Sequence, residues 1–129
     1  MSYDLMVFDK ERAPDTREDF LAWYHEQTKW SEPHDYQIAA HTTPALQKWY
    51  ADIIEHFPNM NTVDEELLDE DEDNELESRL AEYSIGYHSI YVCFAWSVAD
   101  EANRIMKMLA QKHDVGFFDV SSTNGEIIR

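Results

Sequence analysis

The chain has 129 residues, enough for one compact domain and too few for two ordinary ones. Its 27 acidic and 10 basic side chains give a formal net charge of -17, which excludes a surface built to neutralise nucleic-acid phosphates or anionic lipid. A hydrophobic fraction of 43% with 13% aromatics excludes a wholly disordered acidic chain.

The opening MSYDLMVFDK has no basic stretch, and its apolar run Leu5–Phe8 is too short for a signal sequence. No other stretch approaches the ~20 apolar residues of a membrane span, so a cytoplasmic location is expected. Tyr3, Leu5 and Val7 alternate with Asp4, Met6 and Phe8, which predicts a central strand covered on one or both faces. Thr16 and Asp19 form a capping pair for a first helix, with Phe20, Trp23, Tyr24 and Gln27 on one stripe. It ends around Ser31–Pro33. Thr43 as N-cap and Pro44 at the first helical position start a second helix, whose stripe is Leu46, Trp49, Tyr50, Ile53 and Phe57. Pro58 stops it.

The residues from Asp64 to Glu77 (DEELLDEDEDNELE) hold ten acids and no base, more than half of the net charge. Charge this dense repels itself, so a solvated linker at about 59–79 is expected, joining two halves of a single domain that spans 1–129. Beyond it the period changes to two. Tyr83, Ile85 and Tyr87 alternate, Ile90 to Trp96 is a continuous apolar run, and Gly86–Ser89 is the turn between two strands. Ser97 is the expected cap of a third helix, with Asp100 and Glu101 in its first turn and Val98, Ala102, Ile105, Met106 and Leu109 as its buried stripe. Val115–Val120 and Glu126–Ile128 read as strands, with Asn124-Gly125 at the turn. Without the extra helix and the last short strand, this is the split βαβ, ferredoxin-like order. The expected class is α+β, with helices on one face of an antiparallel sheet and the final strand lengthening an edge.

No catalytic constellation emerges. The six histidines form no HExxH pair; His34 and His41 share a loop with Asp35 and specify no metal. Ser121 and Ser122 lack a nucleophile elbow and suit a turn. Cys93, the single cysteine, lies in the most apolar strand, where desolvation disfavours a thiolate. Three dispersed glycines leave no material for a phosphate cradle. Asp9 and Asp119, both near strand ends, are a carboxylate pair that strand pairing can bring together. No catalytic, cofactor or metal residue is therefore assigned. Aromatics are the distinctive feature. Trp30 and Tyr36, beside Glu32 and Asp35 in the loop between the first two helices, have the composition of a protein-binding patch. With the acidic run (Asp64, Glu65, Glu66, Asp69, Glu70, Asp71, Glu72 and Asp73) they form the expected surface for a basic protein partner.

The termini MSYDLMVFD and GFFDVSSTNGE resemble the ends of small, largely uncharacterised bacterial proteins. In its size, acidity, α+β order and lack of motifs the chain also resembles immunity proteins of bacterial polymorphic toxin and contact-dependent growth inhibition systems. That resemblance implies a non-enzymatic protein that binds a cognate toxin domain, frequently a basic nuclease, and blocks its active site. It assigns no residue. The second reading is a small-molecule or regulatory module on the same sheet, dimeric through its open face, with a pocket lined by Tyr83, Tyr87 and Trp96. A third is a hydrolase or metal enzyme using His and Asp pairs without a motif.

Overall fold

Five of the six residues of β1 (Tyr3–Phe8) are buried, so both faces of this strand need a cover. The computed structural model describes residues 2–63, 66, 75–122 and 125–129. On one side of β1 runs β3 (Ser89–Phe94), antiparallel, with Leu5 opposite Val92. On the other runs β4 (Gly116–Phe118), also antiparallel, with Met6 opposite Phe118. β2 (Glu82–Ile85) extends the sheet beyond β3, and β5 (Ile127–Ile128) extends it beyond β4. The strand order is β2-β3-β1-β4-β5. The first four strands stand in the split βαβ order and the fifth lengthens an edge, as the sequence predicts.

Period two sends Tyr3, Leu5 and Val7 to one face and Asp4, Met6 and Phe8 to the other. The first face is covered by α2 (Pro44–His56) and α4 (Ala99–Lys112). Leu46, Trp49 and Ile53 of α2 and Ala102, Met106 and Leu109 of α4 join Leu5 and Val7 in one buried cluster. The expectation that all helices share a face is corrected by α1 (Arg17–Gln27), which covers the second face. Its Phe20 ring lies 4.8 Å from that of Phe8 and 5.1 Å from that of Phe118. Met6, Phe8 and Phe118 make this part of the second face apolar, and the aromatic stripe of α1 removes it from water.

The two N-caps expected from sequence are present: Thr16 accepts from the Asp19 N–H at 3.2 Å, and Thr43 from that of Leu46 at 3.3 Å. Ser97 does not cap α4. It sits in the 3-10 turn Trp96–Val98, and α4 starts at Ala99 with Val98 at the N-cap position. Asp100 and Glu101 still occupy the first turn, where the dipole favours acids. Asn124 lies outside the described residues. Among the described residues, no helix is long and apolar enough to cross a membrane.

The described residues that flank the acidic stretch meet at one place. Asn59 bridges Ala81, and the Met60 N–H donates to the Ala81 carbonyl at 2.9 Å. Before β2 comes the short helix α3 (Glu75–Arg79). Arg79 docks it: its guanidinium donates twice to the Glu101 carboxylate, at 2.8 and 2.9 Å, and once to the His56 carbonyl at 3.0 Å. It also lies 4.7 Å from the centre of the Phe57 ring. The described ends of the expected linker are thus fastened to the core. Arg79 holds the Glu101 carboxyl below its ordinary value of 4.5. A lowered carboxyl contributes stability above its unfolded value and loses it as pH falls through the folded one. Arg79→Ala is expected to cost about 1–2 kcal/mol at pH 7, since the pair is partly exposed. Urea melts at pH 7 and pH 3 check this, and the gap between wild type and variant narrows at the lower pH.

Candidate functional site

The chain between α1 and α2 is strapped to the free edge of β2. Ile85 donates its N–H to the Tyr36 carbonyl at 2.8 Å, and the Gln37 amide donates to the Tyr83 carbonyl at 3.3 Å. The Ala81 N–H, at the start of the strand, donates to the Pro58 carbonyl at 3.0 Å. The edge therefore offers little backbone for pairing with another chain.

Two bulky residues in this loop have positive φ, Trp30 at 51° and Tyr36 at 63°. Backbone of this kind costs on the order of 1–3 kcal/mol per residue and persists only where its surroundings hold it. Glu32 and His34 supply the hold. The Glu32 N–H donates to the Tyr36 hydroxyl at 2.7 Å, and the Tyr36 N–H donates to His34 Nδ1 at 3.2 Å. With Nδ1 accepting, Nε2 carries the proton and donates to Glu32 Oε1 at 2.6 Å. The same oxygen accepts the Tyr87 N–H at 3.0 Å. The His34 ring, 4% exposed, lies between Tyr36, His41 and Tyr87 at 4.4–4.9 Å.

This network presents Trp30 to solvent at 42% exposure, edge-on to Tyr36 and to Tyr91. On its far side opens a cleft of about 310 Å³. Tyr24 of α1, Thr28 at the C-cap of that helix and Trp30 form its wall, and Ser84, Tyr91 and Cys93 its floor. Glu82 stands exposed at its mouth. The cleft exists because α1 covers only the apolar part of the second face. The uncovered part is polar, and strand register assembles it: Asp4 faces Cys93, which faces Glu82, and in the next row Tyr91 and Ser84 follow the buried Met6. Tyr91 donates to the Asp4 carboxylate at 2.5 Å. Ser2 donates to the other Asp4 oxygen at 2.6 Å.

Burial raises the Tyr24 and Tyr91 hydroxyls above their ordinary value, and for Tyr91 the Asp4 carboxylate adds to the effect. Cys93 is half-buried; desolvation and the Asp4 charge push its thiol up to about 12. The floor therefore carries neutral hydroxyls and a neutral thiol beside carboxylates, a set that receives positive charge and holds no activated nucleophile. A direct consequence is slow alkylation. At pH 8 iodoacetamide is expected to label native Cys93 at least about a hundredfold more slowly than the urea-unfolded chain, followed by mass spectrometry.

Several residues singled out by sequence fall elsewhere. Trp30 and Asp35 are at the surface, but Tyr36 is buried and Glu32 turns inward, because the Tyr87 N–H and His34 claim its carboxylate. Glu66 is exposed, whereas Asp64, Glu65, Asp69, Glu70, Asp71, Glu72 and Asp73 lie outside the described residues. His34 and His41 meet each other in the loop, and no group of three or more metal-ligating side chains occurs among the described residues. Asp9 and Asp119 do not pair. Antiparallel β1 and β4 put them at opposite ends of the sheet, four rows apart or roughly 13 Å. Tyr83, Tyr87 and Trp96 do not share a pocket: Tyr83 is in the core, and the exposed Tyr87 and Trp96 flank opposite ends of β3. Asp4, Glu82, Tyr91 and Cys93 are new to the site. Their signal was alternation on two strands, Glu82 and Ser84 on β2 and Tyr91 and Cys93 on β3, together with the single acid Asp4 on β1.

No family model, curated protein or solved structure matches this chain.

Proposed function

We propose that the chain is a non-enzymatic binding module for a basic protein, of the immunity type that neutralises a toxin domain by covering it. One observation carries the reading: a strained loop holds Trp30 out beside an open cleft whose charged lining residue is the Glu82 carboxylate. Aromatic anchors with acidic neighbours are what a lysine- or arginine-rich surface requires. The ten acids of the run from Asp64 to Glu77 adjoin this face in sequence and add a long-range field that steers a cation inward. The neutral state of Tyr24, Tyr91 and Cys93 supports binding rather than nucleophilic chemistry.

Calorimetric titration with the proteins encoded beside this gene, purified in catalytically dead form, tests the reading. A one-to-one complex that restores growth when both proteins are expressed as active forms is expected. Absence of any complex with those neighbours contradicts the immunity assignment.

A further inference from the structure

The Trp30 cleft does not stand alone. A second cleft of about 390 Å³ adjoins it, and Glu82 and Cys93 line both. These two residues are cross-strand partners, so the clefts meet over one rung of the sheet. The second is the more apolar, with Met60, Leu80 and Phe94 in its lining and Glu77 at its rim. Met60 is 46% exposed. Together they form a trench that follows the strand direction, from Ser84 and Tyr91 at the aromatic end to Leu80 and Ala95 at the apolar end. Four residues separate Ser84 from Leu80, about 13 Å of extended chain. At the apolar end the trench reaches α3, the described end of the acidic run.

Resting on the binding-module reading, we infer that the partner enters this trench with an extended segment bearing an arginine. The guanidinium lies on the Trp30 ring and forks to the Glu82 carboxylate, and an apolar residue four positions away fills the Met60–Leu80 end. Three features point to this occupant. A planar guanidinium stacks on an indole and takes a carboxylate bidentately, which an ammonium does not do. Side chains i and i+4 of an extended chain share one face at the trench's own length. The Glu77 carboxylate at the rim of the apolar end offers a base flanking the segment a second acid.

The test uses a fluorescein-labelled eight-residue peptide with arginine at position 2, leucine at position 6 and serine elsewhere, with anisotropy read against the full chain. Its comparators are the lysine-for-arginine and glutamate-for-arginine peptides. The variants are Trp30→Ala and Glu82→Lys, both exposed, and a chain with Asp69, Glu70, Asp71 and Glu72 changed to their amides. The arginine peptide is expected to bind tightest and the glutamate peptide not at all. Trp30→Ala weakens binding about threefold to fivefold, and Glu82→Lys at least about tenfold by reversing the charge under the guanidinium. Circular dichroism melts confirm that both variants remain folded. Unchanged affinity in both folded variants, with loss only in the amide variant, overturns the trench and leaves the basic-partner reading standing. No binding of the arginine peptide to wild type also overturns it, while complex formation with a whole neighbouring protein decides the broader reading separately.

Discussion

Phe20→Ala is expected to destabilise the chain by about 3–5 kcal/mol, the range for truncating a buried aromatic. In a domain of this size that lowers Tm by roughly 10–20 °C. Phe20 is 1% exposed, and its ring touches three others: Phe8, Trp23 and Phe118. It is the only residue of α1 that is fully buried, so the helix docks largely through this side chain. Losing it affects function as well as stability. Tyr24 and Thr28 hang from α1, and Trp30 follows three residues after its end, so a loosened α1 opens the cleft wall. A thermal melt followed by near-ultraviolet circular dichroism reads the packing, and hydrogen exchange over 17–30 reads the helix. A variant that melts within 3 °C of wild type contradicts the docking of α1 on the second face.

Gly116→Ala is the second large effect, and it acts by excess rather than loss. A Cβ at this position would lie 2.2 Å from two atoms of the Phe8 ring. Phe8 is fully buried and cannot swing aside, because Phe20 and Trp23 hold its ring from above at 4.8 and 6.1 Å. Overpacking of this kind costs about 1–3 kcal/mol, and the confinement of Phe8 places this site at the upper end. Combining Gly116→Ala with Phe8→Leu removes the obstructing ring, so the two costs do not add. A double-mutant cycle by urea denaturation measures that coupling, and strict additivity contradicts the Phe8–Gly116 contact.

Local signals in the sequence reported themselves well. Thr16 and Thr43 cap the helices they were expected to cap, because a side chain bonding three residues ahead needs no long-range partner. The buried stripes of α2 and α4 follow for the same reason, since helical period is local. Ser97 failed because a 3-10 turn intervenes before α4, and a turn of three residues leaves no periodic trace. The position of α1 was half legible: β1 is apolar on both faces, yet spacing alone does not say which helix covers which. Glu32 was misread as a surface anchor because its partner N–H belongs to Tyr87, 55 residues away. The trench was invisible for a deeper reason. Asp4, Glu82 and Cys93 form one row only after two strand registers are set, and registers depend on core packing rather than on nearby residues.

Acidity distributed this way has a kinetic signature. The run from Asp64 to Glu77 carries ten of the charges, while the trench holds the anchors. On the proposed binding-module reading, steering would belong to the first and retention to the second, so salt should act on the two rates differently. The most direct test is the association rate of the chain with its captured basic partner, measured by stopped flow between about 20 and 500 mM salt. The account predicts a rate that falls at least about tenfold over that range while dissociation changes little. An association rate independent of salt would contradict the claim that this protein is built to draw in a basic partner.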